Sequence, residues 1–267
     1  MKFLSVRNGG SGQYGLTSPR NNKKKMGGPL PKVYKRASSQ AFKLDNETIS
    51  PIVGFYKIKQ KGIIMKVKEA KKIIVSLSKP DKMPGFAYGI PAAECKTGAK
   101  LRLIPNSVCA GCYALKGNYA RFPAIVQAQY KRLESIQNPR WVEAMAVVIS
   151  SQAVSKHKVF RWHDSGDVQD LDHLNKIFEV CRLTPDIQHW MPTREAWIKN
   201  HLDKCPKNLI IRLSMTMIDQ AAAGSWPHTS TVVTSGRTCP APDQGGQCGD
   251  CRQCWSDSVS NIAYGKH

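Results

Sequence analysis

Four cysteines fall within sixteen residues near the C-terminus: Cys239, Cys248, Cys251 and Cys254. The last three are spaced C-x2-C-x2-C, and each two-residue step turns the backbone tightly. Gly245, Gly246 and Gly249 supply the conformations that such turns need. Pro240, Pro242, Asp243 and Asp250 work against a helix or strand here. A segment with so many thiols and so little apolar filling folds around something inorganic, an iron–sulfur cluster or a zinc ion. Structural zinc usually takes two C-x2-C pairs separated by a longer loop. Three cysteines two residues apart, with a proline after the outlying one as in Cys239-Pro240, are closer to a ferredoxin-type run. The spacing favours iron–sulfur over zinc, and either over unligated thiols or disulfides.

Composition narrows the setting. The chain has 267 residues, enough for one substantial domain with its own core. No apolar run approaches a membrane span, and the first ten residues lack the apolar stretch of a secretory signal. The expectation is a cytoplasmic protein with no membrane partner, in which nine cysteines are ligands or core residues rather than bridges. The net charge is +21, and residues 1–65 hold 13 Lys+Arg against 2 Asp+Glu. That leader is rich in Gly, Ser, Asn, Pro and Lys and reads as mostly disordered, with Met65 as an alternative start. A basic leader on a basic body points to a polyanionic partner, nucleic acid or a nucleotide, without implying that sequence is read.

Residues 66–238 alternate between strand and helix patterns. Strands are expected at Ile73–Leu77, Val159–His163, Ile187–Met191, Leu209–Met215 and Thr231–Thr234. Helices are expected at Pro123–Gln137, Trp141–Ala153, Val168–Leu183, Glu195–Cys205 and Ile218–Ala223, and Lys79–Gly89 reads as a loop. This is the pattern of an α/β fold with parallel strands. The repeats are too few for eight, so a partial (βα) barrel is expected, with residues 239–267 packed on it as a Cys-rich loop region. The strands themselves are unusual. Strands covered by helices on both faces should be nearly all apolar, yet Arg161 and His163 alternate with Phe160 and Trp162. Arg212 and Ser214 alternate with Ile211 and Leu213, and His189 precedes Trp190. A period of two places Arg161 with His163, and Arg212 with Ser214, on shared faces. The reading is a wet interior lined by Arg161, His163, His189 and Arg212; the alternative is an edge strand facing solvent.

A second thiol group consists of Cys95, Cys109 and Cys112. Three thiolates around a four-iron cubane leave one iron open. Two thiols of a zinc site, with Cys95 a bystander, is the other reading. The strand at Val159 ends in Ser165-Gly166-Asp167, a turn able to accept hydrogen bonds from an amino group or to cap the following helix. Arg194, after the next strand, suits a carboxylate or phosphate.

Cys95…Gly98-Ala-Lys-Leu101, Cys109-x2-Cys-Tyr-Ala-Leu-Lys-Gly-Asn-Tyr119, Arg161-Trp-His-Asp-Ser-Gly-Asp167 and the final Cys-x2-Cys-x2-Cys-Trp…Tyr264…His267 resemble the phage gene product 88 family, over roughly Lys82 to His267. The resemblance implies a virus-encoded protein of the host cytoplasm. Cys-Tyr-Ala and Ser-Gly-Asp are also similar to phage radical S-adenosylmethionine proteins, although here thirteen residues separate Cys95 from Cys109. That similarity implies a [4Fe-4S] cluster on Cys95, Cys109 and Cys112 and a second on the C-terminal four cysteines. With it, S-adenosylmethionine is expected at Ser165, Gly166, Asp167 and Ser214, and the polar strand residues His163, Arg161 and Arg212, on the substrate side, are the expected catalytic residues. Flavodoxin or ferredoxin would be the reductant. The rival function is a zinc-stabilised nucleic-acid-binding protein without catalysis. A third arrangement joins all seven thiols around one shared site.

Overall fold

The computed structural model describes residues 55–58, 63–153 and 158–266. Most of the basic leader, and with it the expected disorder, lies outside the described residues. Phe55–Ile58 (β1) and Ile63–Lys66 (β2) form an antiparallel pair. Met65 is fully buried in the main core, so this hairpin straddles the expected boundary at residue 65.

Six further strands form one parallel sheet: Phe86–Tyr88 (β3), Val159–Trp162 (β4), Gln188–Thr193 (β5), Leu209–Ile218 (β6), Thr229–Val233 (β7) and Asn261–Gly265 (β8). Their spatial order is their chain order, β3 to β8, and every neighbouring pair is parallel. Helices Trp141–Ala153 and Leu171–Leu183, which lie in the β3–β4 and β4–β5 connections, pack in the main core against one face of this sheet. The arrangement is that of a (βα) barrel left open between β3 and β8.

The helices are Val67–Ile74 (α1), Lys96–Leu101 (α2), Gly117–Arg121 (α3), Pro123–Ser135 (α4), Trp141–Ala153 (α5) and Leu171–Leu183 (α6). The strand expected at Ile73–Leu77 is a correction: Ile73 and Ile74 end α1, and the chain leaves it through Val75 at φ 74°. The loop expected over Lys79–Gly89 contains β3, and β8 was not marked by the sequence pattern at all. The helix expected at Glu195–Cys205 is a 3-10 helix over Ala196–Lys204, and that expected at Ile218–Ala223 is a turn after β6.

The period of two along the strands sorts their side chains. Phe160, Trp162, Met191, Leu209 and Ile211 join α1, α5 and α6 in the main core. Val159 and Trp190 face the other way and pack with Trp255 of the Cys-rich segment. One face is therefore covered by helices and the other by the C-terminal loop. The aromatic centre of the helical side includes Trp141 and Trp162, 6.1 Å apart, with Tyr88 edge-on to both. Trp141 Nε1 donates to Tyr88 Oη, which donates to Arg132 O, so the polar tips of these two residues are satisfied, whereas the buried Trp162 Nε1 has no partner.

Two residues expected in a wet interior belong instead to this core. His189 is fully buried, stacks on Trp162 at 6.0 Å and shares a 2.8 Å hydrogen bond with Thr184 Oγ1. β4 ends at Trp162, and His163 takes φ 54°, which throws its ring back against His173 of α6 at 5.4 Å. His163 therefore does not share a face with Arg161. Burial alone would keep these rings neutral: it lowers His173 to about 4 and His189 to about 3, and it lowers His163 as well, with His173 and Arg161 adding to the effect. In the unfolded chain each histidine takes up a proton below about pH 6.5. Stability is complete above that pH and is lost as pH falls from there toward the folded values. Between pH 7 and 5 the loss should be about 2 kcal/mol for each buried ring. Urea midpoints at the two pH values should show this fall, and His189→Gln should shrink it.

Candidate active site at the strand ends

The long connection from β3 to β4 roofs the carboxyl ends of the strands, where ligands of open α/β sheets sit. It is stitched down strand by strand. On β4's exit, Asp164 O accepts from Tyr113 Oη at 2.6 Å and Asp164 Oδ2 accepts from Tyr119 Oη at 3.0 Å. Beyond β5, Glu195 accepts from Thr97 N at 3.0 Å, Thr97 Oγ1 at 2.9 Å and Trp197 Nε1 at 3.1 Å. On β6, Ser107 bridges to Met217, and Ile218 N donates to Asn106 O.

Cys95, Cys109 and Cys112 lie on this roof and act on one another electrostatically. The Sγ atoms of Cys95 and Cys109 are within 3.7 Å of the point where a Cβ on Gly98 would stand, and that Cβ would meet Cys95 Cβ at 2.9 Å. Glycine at 98 thus keeps a shared space open between two thiols. Burial pushes Cys95 up to about 12, with Asp167, Cys112 and Cys109 adding to the rise. Burial likewise raises Cys109, and the charge of Arg194 works against that rise. Arg194 Nε is buried and has no hydrogen-bond partner. Two thiols sharing the space at Gly98, a third that acts on both, and an unpartnered guanidinium N–H on the arginine whose charge reaches Cys109 are a donor set of the kind a multi-iron cluster uses. Among the described residues, no group of three or more His, Cys, Asp or Glu side chains is gathered as one metal ion would require.

The Ser165-Gly166-Asp167 turn lies beside this group, but its polar atoms are already engaged. Ser165 Oγ donates to Ile90 O, and Gly166, at φ 81°, passes so close that a Cβ would meet Ile90 O at 2.7 Å. Asp167 accepts from Val168 N, Thr193 Oγ1 and Arg194 N, tying β4's exit to β5's. Burial holds its carboxyl up at about 6. It does not cap the next helix: α6 starts at Leu171, and Asp170 accepts from His173 N at 2.8 Å as its cap. Ser214 accepts from Ser230 Oγ on β7 and lies apart from this turn in the sheet. Between α2 and the start of α6 a cleft of about 510 Å³ opens, lined by Lys96, Lys100, Leu171 and Trp197 among others.

The second thiol group closes the opposite face. Gly245, Gly246 and Gly249 all have positive φ, as the tight turns demand. Cys248 N donates to Lys82 O, Cys239 N to Ala263 O and Cys251 N to Cys248 O. Cys239 and Cys251 both raise Cys248, after burial, and Cys248 in turn raises Cys254. Cys254 Sγ is 3.3 Å from Tyr264 Oη, and burial pushes its thiol up to about 11.

Arg212, expected as a catalytic residue, is the clamp of this loop. It is fully buried, and all five of its N–H groups donate to carbonyls: Nε to Cys254, Nη1 to Thr229 and Val259, Nη2 to Gln253 and Ser256. No donor is left for a substrate. Arg161 faces the C-terminal thiols and reaches Tyr113, the residue after Cys112. Its guanidinium covers the Trp190 ring at 4.6 Å and donates to Tyr113 Oη at 3.4 Å, while its charge reaches Cys248, Cys254 and Tyr264. Its Nε has no partner.

Glu195 enters the sequence reading only as the start of an expected helix, and its partner Thr97 lies 98 residues away, so no local signal announces the clamp. Glu195→Ala would strand three buried or half-buried donors and should cost about 2–4 kcal/mol. It should also loosen the Cys95 segment, read as faster alkylation of Cys95 in the metal-free protein.

No curated protein and no solved structure matches the chain. The family model for gene product 88 matches residues 58–238, which takes in Cys95, Cys109, Cys112 and the Ser165–Asp167 turn and stops short of Cys239. The match starts earlier and ends sooner than the motifs alone suggested, yet β8 beyond it completes the sheet. With more than half of its length covered, the chain belongs to the gene product 88 family.

Proposed function

We propose that this protein is an iron–sulfur enzyme of the radical S-adenosylmethionine type, with Cys95, Cys109 and Cys112 holding a cluster open at one iron and Cys239, Cys248, Cys251 and Cys254 holding a closed one. The observation that carries it is placement. Cys95 and Cys109, with their Sγ atoms around Gly98, and Cys112, whose charge acts on both, follow the first strand of a one-way parallel sheet in the segment that crosses the carboxyl ends of its neighbours, near an engaged carboxylate and an arginine with an unpartnered N–H. When bound, the open cluster would supply the electron that splits S-adenosylmethionine, and the released carbon radical would remove a hydrogen atom from substrate.

The chain's own groups have simpler tasks. Asp167 fixes the β4 and β5 exits as one rim, and its charge faces Cys95 and Cys109. Arg194 offers its free N–H to a carboxylate or a sulfide. Tyr113 and Tyr119 hold the roof on Asp164 and limit water at the rim. His163, His189 and Arg212 are left out of the chemistry, because the core or the C-terminal loop already employs them.

Anaerobic purification tests the reading. The expected product is brown, carries iron and sulfide in comparable amounts, and bleaches with dithionite. It cleaves S-adenosylmethionine to 5′-deoxyadenosine once reduced. Colourless protein with stoichiometric zinc would favour the zinc-stabilised binding protein instead.

A further inference from the structure

Large apolar side chains on the surface are concentrated in one place. Seven are exposed among the described residues: Leu103, Ile104, Tyr113, Phe122, Ile125, Tyr130 and Leu171. The first six belong to the roof and to α4, which continues it, and Leu171 lines the cleft beside α2. The same stretch is one-sided in charge. From Cys95 to Arg132 there are seven Lys+Arg and no Asp or Glu. Lys96, Lys100, Lys116, Arg121 and Lys131 are exposed; Arg132 alone is buried, bonded to Ser76 O and Gly89 O. Arg121 lies over the Phe122 ring, and Tyr113 packs edge-on to Tyr119 at 5.8 Å.

An exposed apolar patch of this extent marks an interaction site. An apolar protein face would account for the side chains but not for the excess of cations. An anionic lipid surface would suit both yet favours one continuous helical face, whereas here short turns present separate rings, with Glu94 at the edge accepting from Tyr130. Phosphates spaced along a strand with bases splayed between them match both features: cations track the backbone, and aromatic rings stack on bases without regard to sequence. We infer that the Lys96–Lys131 surface binds a single-stranded polynucleotide and leads it across the roof toward the Cys95, Cys109 and Cys112 site. The inference names the substrate class of the enzyme proposed above. The binding itself needs no iron, so the two can fail separately.

The test uses the full chain, because the basic leader adds its own unspecific attraction. Binding of fluorescent (dT)20 and (U)20 is followed by anisotropy across a salt series, with and without metal. The variants are Lys100→Glu/Lys116→Glu/Arg121→Glu together, and Phe122→Ala alone. All four side chains are exposed, and an unchanged urea midpoint checks the fold. The triple variant should bind at least about tenfold more weakly, with a salt slope smaller by about 2, since each lost phosphate contact removes about 0.7. Phe122→Ala should lose about tenfold at unchanged slope, the mark of lost stacking. Preference for (U)20 would assign RNA and preference for (dT)20 would assign DNA. Unchanged affinity and slope in both variants would put binding in the leader and overturn the inference. So would tighter binding of a duplex of equal length, or competition by anionic vesicles as effective as that by the oligonucleotide.

Discussion

Arg212→Met should detach the C-terminal loop while leaving the rest of the sheet in place. The native guanidinium uses every donor it has, on five carbonyls drawn from β7 and from residues 253–259. Methionine fills similar volume and offers no donor, so carbonyls that lie against a buried side chain lose their partner. Removing one side of a buried charged network costs about 3–5 kcal/mol. Lysine is no remedy, because a single ammonium with three donors cannot reach acceptors arranged around a planar fork. The local consequence follows from Trp255. Its indole Nε1 donates to Phe160 O and its ring packs on Trp190 at 5.3 Å, and both contacts depend on the loop that Arg212 grips. The expected result is a lower urea midpoint, red-shifted tryptophan emission and loss of iron from the C-terminal thiols alone. Unchanged emission and full iron content would show that the five bonds are not what holds the loop.

The same residue shows what a sequence discloses and what it withholds. Arg212 stands out in an apolar strand, so its being special is legible. Its partners are not, since four of the five are main-chain oxygens more than forty residues away, and carbonyls carry no sequence signature. Helix α5 is fully legible because its run from Trp141 to Ala153 is long and apolar. β3 and β8 are not: three and five residues carry too little periodicity, and pairing with β4 and β7 makes them strands. Ile73 and Ile74 look like a strand because they are β-branched, yet the helix they end is held by tertiary packing, which overrides that preference. His163 is misplaced by a single backbone angle, since one left-handed residue past the strand reverses the face on which its ring lies. The thiols were legible because their spacing is itself the signal. What surrounds them, such as Arg161 acting on Cys248 and Cys254, needed the fold.

Cys112→Ala and Cys251→Ala should therefore separate two pools of iron. Each substitution removes one sulfur from a group whose members act on one another, and neither residue supports the main core. A cluster held by three protein thiolates has no spare ligand, so Cys112→Ala should abolish it, with roughly half of the iron kept. Cleavage of S-adenosylmethionine should then fall below detection. Cys251→Ala should lose the other half and retain cleavage in the reduced protein, because the C-terminal thiols are not at the open iron. One shared site predicts a different pattern: either variant would empty the protein of iron, and both would be inactive. Arg161 provides the third arm. Its charge lowers both Cys248 and Cys254 against the rise that burial imposes. Arg161→Gln should keep both iron pools while moving the midpoint of the C-terminal cluster to more negative potential, as expected when a nearby positive charge is withdrawn from a group that gains an electron. An unshifted potential with intact iron would leave Arg161 as a stacking partner of Trp190 and nothing more.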